Sequence, residues 1–190
     1  MKRPIVFLGP SGIGKGTIEN QLFKLYPDAF SFSVSHTTRS PRAGEIDGKE
    51  YYFTTLEQME KDIAEGKFVE YTKVHGRMYG TSFMALDNVQ KSGKICILDL
   101  NVDGALAFSS SEYNPLIILL LPVSLEALEA RLRARGTEGE KEINTRMNTA
   151  REEMKRFEEH KDKWDMIIFN DALEDTIRVI QQKLHEVFGI

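Results

Sequence analysis

The chain has 190 residues, 41% hydrophobic and 28% charged, which describes one domain able to bury its own core and excludes a largely disordered chain. Its formal net charge is −4, whereas general binders of nucleic acid or membrane surfaces are more often basic, so neither partner is expected and any anion site has to be local. The one cysteine, Cys96, excludes an internal disulfide and a cysteine-rich zinc site, and the longest apolar run, Leu116 to Leu121, is far short of the roughly 20 residues of a membrane span.

From the N-terminus, a basic start leads into the unbroken apolar run Ile5–Leu8, which is too short for a signal sequence and enters a glycine loop directly. A cytoplasmic protein is therefore expected. Ile5–Leu8, Phe30–Val34, Ile95–Leu100, Leu116–Leu121 and Met166–Phe169 are predicted core strands, four of them without polar alternation, as strands covered on both faces should be. Helices are predicted from the glycine loop through Leu25, over Ser124–Arg135, from Glu140 to about His160, and over Asp171–Phe188, the last three on apolar stripes. Thr137 with Glu140, and Asp171 with Glu174, have capping-box spacing. Such alternation predicts an α/β fold, a three-layer sandwich around a mostly parallel sheet. From Ser35 to Ser92 it breaks: a stretch rich in Arg, Tyr, Gly and Thr, with short strands at Glu50–Phe53 and Phe68–Val74 around a helix near Thr54–Glu65, reads as an inserted small sheet. The polar stretch beginning at Arg133 reads as a lid. The expected division is a core of 1–34, 93–132 and 147–190, an insertion of 35–92 and a lid of 133–146.

The loop Gly9-Pro10-Ser11-Gly12-Ile13-Gly14-Lys15-Gly16-Thr17, between a strand and a helix, matches the phosphate-binding P-loop pattern. Glycines let backbone N–H groups turn inward on a phosphate, the helix start adds the positive end of its dipole, and Lys15 reaches the β- and γ-phosphates. Gly16 stands where the pattern has a hydroxyl for Mg²⁺. The apolar run ending in Asp99 suits a second element of such folds, an acid that holds a Mg²⁺ water. In the insertion, Arg39 and Arg42 lie on a loop stiffened by Pro41 and Gly44, and a guanidinium suits bidentate phosphate binding. Tyr51 and Tyr79 are further phosphate donors. The Glu70 carboxylate can accept from both N1–H and the N2 amine of guanine, a donor pair adenine lacks, and Ser35 and Thr81 can donate to guanine O6.

These stretches, with Asp47–Phe53, Tyr79-Gly80-Thr81, Arg131–Thr137 and Asn170-Asp171, run in order along essentially the whole chain and closely resemble guanylate kinase. The resemblance implies a P-loop core, a GMP-binding insertion, a lid, Mg²⁺ with ATP, and transfer of phosphoryl from ATP to GMP and dGMP. It implies that Ser35, Glu70, Thr81 and Asp99 surround guanine, with Asn101 beside them. It also implies that Arg39, Arg42, Tyr51 and Tyr79 hold the GMP phosphate, that Arg135 and Arg146 close on the transferring group and ATP with Arg131, and that Asn170 lies by adenine. Lys15, Arg39, Arg135 and Arg146 are the expected catalytic set. Two positions depart from the family: Gly16 for the more usual Ser, and Asn101 where Asp is common. The alternative is a non-catalytic protein-binding module of the same fold, which would lack a working P-loop. His36, His75, His160 and His185 have no metal-ligand spacing and read as loop or surface residues. No oligomeric state is set, a monomer being compatible.

Overall fold

In the computed structural model, which describes residues 2–74, 76–134, 136 and 139–190, the apolar runs pair into one five-stranded sheet. Along the chain the elements are β1 (Ile5–Leu8), α1 (Lys15–Leu25), β2 (Phe30–Phe32), β3 (His36–Thr37), β4 (Tyr52–Phe53), α2 (Leu56–Ala64), β5 (Phe68–Val74), β6 (Arg77–Ser82) and α3 (Phe83–Lys91). Then follow β7 (Ile95–Asp99), α4 (Val102–Ser109), β8 (Leu116–Leu121), α5 (Leu125–Ala134), α6 (Glu140–Glu159), β9 (Met166–Phe169) and α7 (Leu173–Phe188). The central sheet has the order β2-β7-β1-β8-β9 with every described pairing parallel.

Strand side chains point alternately to the two faces. Ile5, Phe7, Ile95, Ile97 and Ile118 meet Ile18 and Leu22 of α1 and Ile177, Ile180 and Leu184 of α7. Val6, Leu8, Cys96, Leu98 and Ile117 meet Leu86 and Val89 of α3, Ala105 and Phe108 of α4, and Phe157 of α6. That is the expected three-layer α/β sandwich. Among the described residues no helix is long and apolar enough to cross a membrane.

The second sheet, β4-β3-β6-β5, is built within residues 35–82. Two of its strands, β3 and β6, were not expected, nor were α3 and α4. β2 stops at Phe32, before the expected Val34, because the chain there leaves the central sheet for β3. α3, placed by sequence within the insertion, packs through Leu86 and Val89 into the central core. Helix starts also differ. α7 begins at Leu173 with Ala172 at its N-cap, so Asp171 does not cap it. α6 has Gly139 at its N-cap, whose N–H donates to Glu142 Oε2 at 2.5 Å, in place of the expected Thr137–Glu140 box; Thr137 lies outside the described residues. His36 is not a loop residue: it lies in β3 against the rings of Tyr52 and Phe68.

Candidate active site

β1 is the middle strand, and its C-terminal end delivers the loop from Gly9 to Gly14 into the N-terminus of α1. Gly9 and Gly14 hold φ of 142° and 104°, and a Cβ on Gly9 would stand 2.4 Å from the Leu120 carbonyl oxygen, so glycine is required there. Ile13 N–H closes a turn on Pro10 O at 3.1 Å. Lys15 folds back over the loop, donating from Nζ to Gly9 O at 2.7 Å, with the Asp99 carboxylate 3.6 Å away. Gly16 opens on empty space: a Cβ there would meet nothing within 4 Å. Thr17 N–H is already spent on Gly14 O at 3.1 Å, which leaves its hydroxyl for any ligand.

Three side chains clamp this loop from other elements. Asn170 Nδ2 donates to Ile13 O at 2.6 Å while its Oδ1 accepts from Thr176 Oγ1 at 2.8 Å, so the buried amide is held at both ends. Arg131 on α5 donates to the carbonyls of Asn170 (2.7 Å) and Asp171 (2.8 Å) and makes a longer contact with Ile13 O. Arg146 on α6 donates to Ser11 Oγ. Gly12, Ile13, Gly14, Thr17, Arg131 and Asn170 line a cavity of about 320 Å³. A larger cleft of about 770 Å³, lined by Lys2, Asp87, Gln90 and Tyr113, lies at the opposite, N-terminal end of β1 and gathers none of these groups.

The small sheet supplies the other wall. β5 carries one extra residue between Phe68 and Glu70 against β6. That bulge lets Val69 enter the core while Glu70 comes opposite Thr81, whose hydroxyl donates to Glu70 Oε1 at 2.9 Å. Burial pushes the Glu70 pKa up, opposed by Thr81 and reinforced by the nearby negative charge of Asp99. α4 reaches Glu70 because residue 104 is glycine: a Cβ there would lie 2.8 Å from Glu70 Cβ. Asn101 Oδ1 is the N-cap of α4, accepting from Gly104 N–H at 2.8 Å. Asp99 ends β7 with its surroundings pushing its pKa up and Lys15 pulling it down. It joins the two walls.

Arg39 and Arg42 flank a carboxylate that sequence reading missed. Arg39 pairs bidentately with Glu45 at 2.8 and 2.9 Å, and Arg42 N–H donates to the same carboxylate at 2.6 Å. The Arg39 guanidinium lies 5.4 Å from the Tyr51 ring centroid, and Tyr51 meets Tyr79 edge-on at 6.0 Å. The expected phosphate donors are thus together. Ser35 stands just before β3, its carbonyl accepting from Tyr52 N–H at 2.9 Å. Arg135 lies outside the described residues. A second missed residue is Glu19 on α1, buried between Ile18 and Leu22; burial pushes its pKa up to about 7, with Asp99 raising it and Lys15 lowering it. Its one sequence signal was a carboxylate four residues after the loop lysine.

The sequence profile described as guanylate kinase matches residues 1–187, nearly the whole chain. The chain belongs to the guanylate kinase family. The chain is 42% identical to the guanylate kinase of Sus scrofa over 97% of this chain and 92% of that one. To guanylate kinase 1 of rice, Oryza sativa subsp. japonica, it is 49% identical over 91% of this chain. It spans about half the length of the plant relatives it matches. A crystal structure of guanylate kinase from Anaplasma phagocytophilum superposes with a TM-score of 0.62 at 27% identity, covering 98% of this chain and 87% of that one. The family resemblance read from the sequence is borne out, and so is the fold.

Proposed function

We propose that this chain transfers the γ-phosphoryl group of ATP to GMP, and to dGMP, giving ADP and GDP in purine nucleotide metabolism. The observation that carries the reading is the position of Asp99. It stands 3.6 Å from the Lys15 ammonium on one side and within electrostatic reach of Glu70 on the other. Asp99 thus links the phosphate loop to a carboxylate suited to guanine.

Phosphoryl transfer asks a protein mainly for positioning and charge neutralisation. In this reading Lys15 and the backbone of Gly9, Pro10, Ser11, Gly12, Ile13, Gly14, Gly16 and Thr17 cradle ATP. Arg131 and Asn170 shape the adenosine side by fixing the loop, and Arg146 exchanges Ser11 for the transferring group. Arg135 joins it on the strength of the family resemblance alone. Arg39, already oriented by Glu45, takes the GMP phosphate with Arg42, Tyr51 and Tyr79 at little entropic cost. Ser35, Glu70 and Thr81 read guanine, with Asp99 and Asn101 at its border. The division into core, insertion 35–92 and lid 133–146 is kept in this reading.

Mg²⁺ is the metal the reading calls for, and the site fits it: Asp99 offers a hard carboxylate, 56% exposed, beside a loop left open at Gly16. Bound with ATP, the ion supplies neutralisation of phosphate charge, and Asp99 would hold it through water. The buried, single Cys96 fits a reducing, cytoplasmic compartment. A protein-binding module without catalysis would have no use for a lysine folded over a glycine cradle. The test is Lys15→Met: kcat is expected to fall by about 10³ or more with the melting temperature held, and near-normal turnover would overturn the assignment.

A further inference from the structure

α1 carries a carboxylate where its packing calls for an apolar side chain. Ile18 and Leu22 are fully buried, and Glu19 between them is only 6% exposed, its Oε1 sealed from solvent with no hydrogen-bond partner. Such an oxygen is costly unless something meets it. Glu19 follows Lys15 by four residues, so the two share a face of α1. Glu19 interacts with both Lys15 and Asp99, and Lys15 Nζ is already committed to Gly9 O at 2.7 Å. Glu153 on α6 faces the same pair. The ground beside the phosphate loop is thus short of positive charge. Next to it, the place of the P-loop hydroxyl is open at Gly16.

We infer that Glu19 takes over from the missing hydroxyl at position 16, holding, with Asp99, waters of the Mg²⁺ that accompanies the nucleotide. The inference rests on the phosphotransferase reading. Contact through water is expected because Mg²⁺ dehydrates reluctantly and keeps several waters. A carboxylate set one helical turn behind the loop suits that outer position, and outer partners of this kind contribute roughly 10- to 100-fold to metal affinity.

The experiment is calorimetric titration of ADP into wild type, Glu19→Gln and Glu19→Leu, with and without Mg²⁺, each variant's melting temperature being recorded first. Leu removes a buried unpaired charge and Gln keeps the shape, so at least one variant is expected to fold. Wild type is expected to bind ADP more tightly with Mg²⁺. Both variants should lose about tenfold of that enhancement while their Mg²⁺-free affinity stays or rises. A purely structural Glu19 would move the melting temperature and leave the ratio alone. Variants that keep the wild-type ratio, or a wild type with no Mg²⁺ enhancement, overturn the inference. A wild type that fails to bind ADP in either condition overturns the phosphotransferase reading itself.

Discussion

Glu70 is placed by a single extra residue in β5; its Oε1 accepts from Thr81, and the carboxylate lies near the negative Asp99. In the proposed reading a guanine base would supply two N–H donors to this carboxylate. Glu70→Gln puts an amide where an anion with free lone pairs is needed and leaves a polar group unpaired at the base. The GMP KM is expected to rise by roughly 10²-fold, with the ATP KM little changed, in steady-state kinetics. The reverse pattern would place the two substrates in each other's sites. His36 bears on the small sheet that holds Glu70. Burial between aromatic rings keeps its pKa below 6.5, Asp62 and Asp47 opposing, and its Nδ1 has no partner. A depressed pKa means that the neutral form is favoured on folding, so this contribution is full above pH 6.5 and is lost as pH falls through the folded value. In urea unfolding at pH 7.5 and 5.5, His36→Phe should lose less stability on acidification than wild type; equal losses would contradict this.

At the scale of elements, α5 packs on the N-terminal half of α6, while the C-terminal half of α6 enters the central core through Phe157. Leu128, Leu132, Ile143, Met147 and Ala150 pack into a cluster separate from both faces of the central sheet. This hairpin meets the phosphate loop through polar bonds, Arg131 to Ile13 O and Arg146 to Ser11, and through the apolar side chains of Leu128 and Leu132, which lie over Gly12. The polar bonds among these can be traded for phosphate oxygens, which suits a closing lid. The ion pairs of Arg133 with Glu129 and Glu140 lie on the outside and add little. Solution scattering with GMP and an unreactive ATP analogue together should give a smaller radius of gyration than the free protein; an unchanged radius would count against closure. This packing was not legible in the sequence, since Leu128 and Met147 lie on either side of the stretch 133–146 read as the lid. What was legible was local: Gly9–Lys15 declares itself because strand, glycines and helix are contiguous, and the β1, β8 and β9 runs are apolar throughout. β3 has two residues, too few for a period to appear, and the short α4 owes its start to Asn101 capping and its approach to Glu70 to Gly104. The clamps of Asn170 on Ile13 and Glu45 on Arg39 depend on how segments meet, which spacing along the chain does not encode.

In the whole molecule, the strand order places β1 between β7 and β8, so the phosphate loop leaves the sheet at its centre and Asp99 leaves beside it. Ligands of open parallel sheets bind at that carboxyl edge. The small sheet is anchored by Val69 in the core, which brings Glu70 within electrostatic reach of Asp99. We propose that the phosphate loop, the Glu70 carboxylate and the arginines of α5 and α6 together select GMP as acceptor. The most direct test is a coupled ADP-release assay with ATP and Mg²⁺ against GMP, dGMP, AMP, UMP and CMP. Turnover is expected with GMP and dGMP, with kcat/KM for AMP, UMP and CMP lower by about 10⁴ or more, because those bases lack the N–H pair that the Glu70 carboxylate would accept. Comparable turnover with AMP, or no ADP release with GMP, would contradict it.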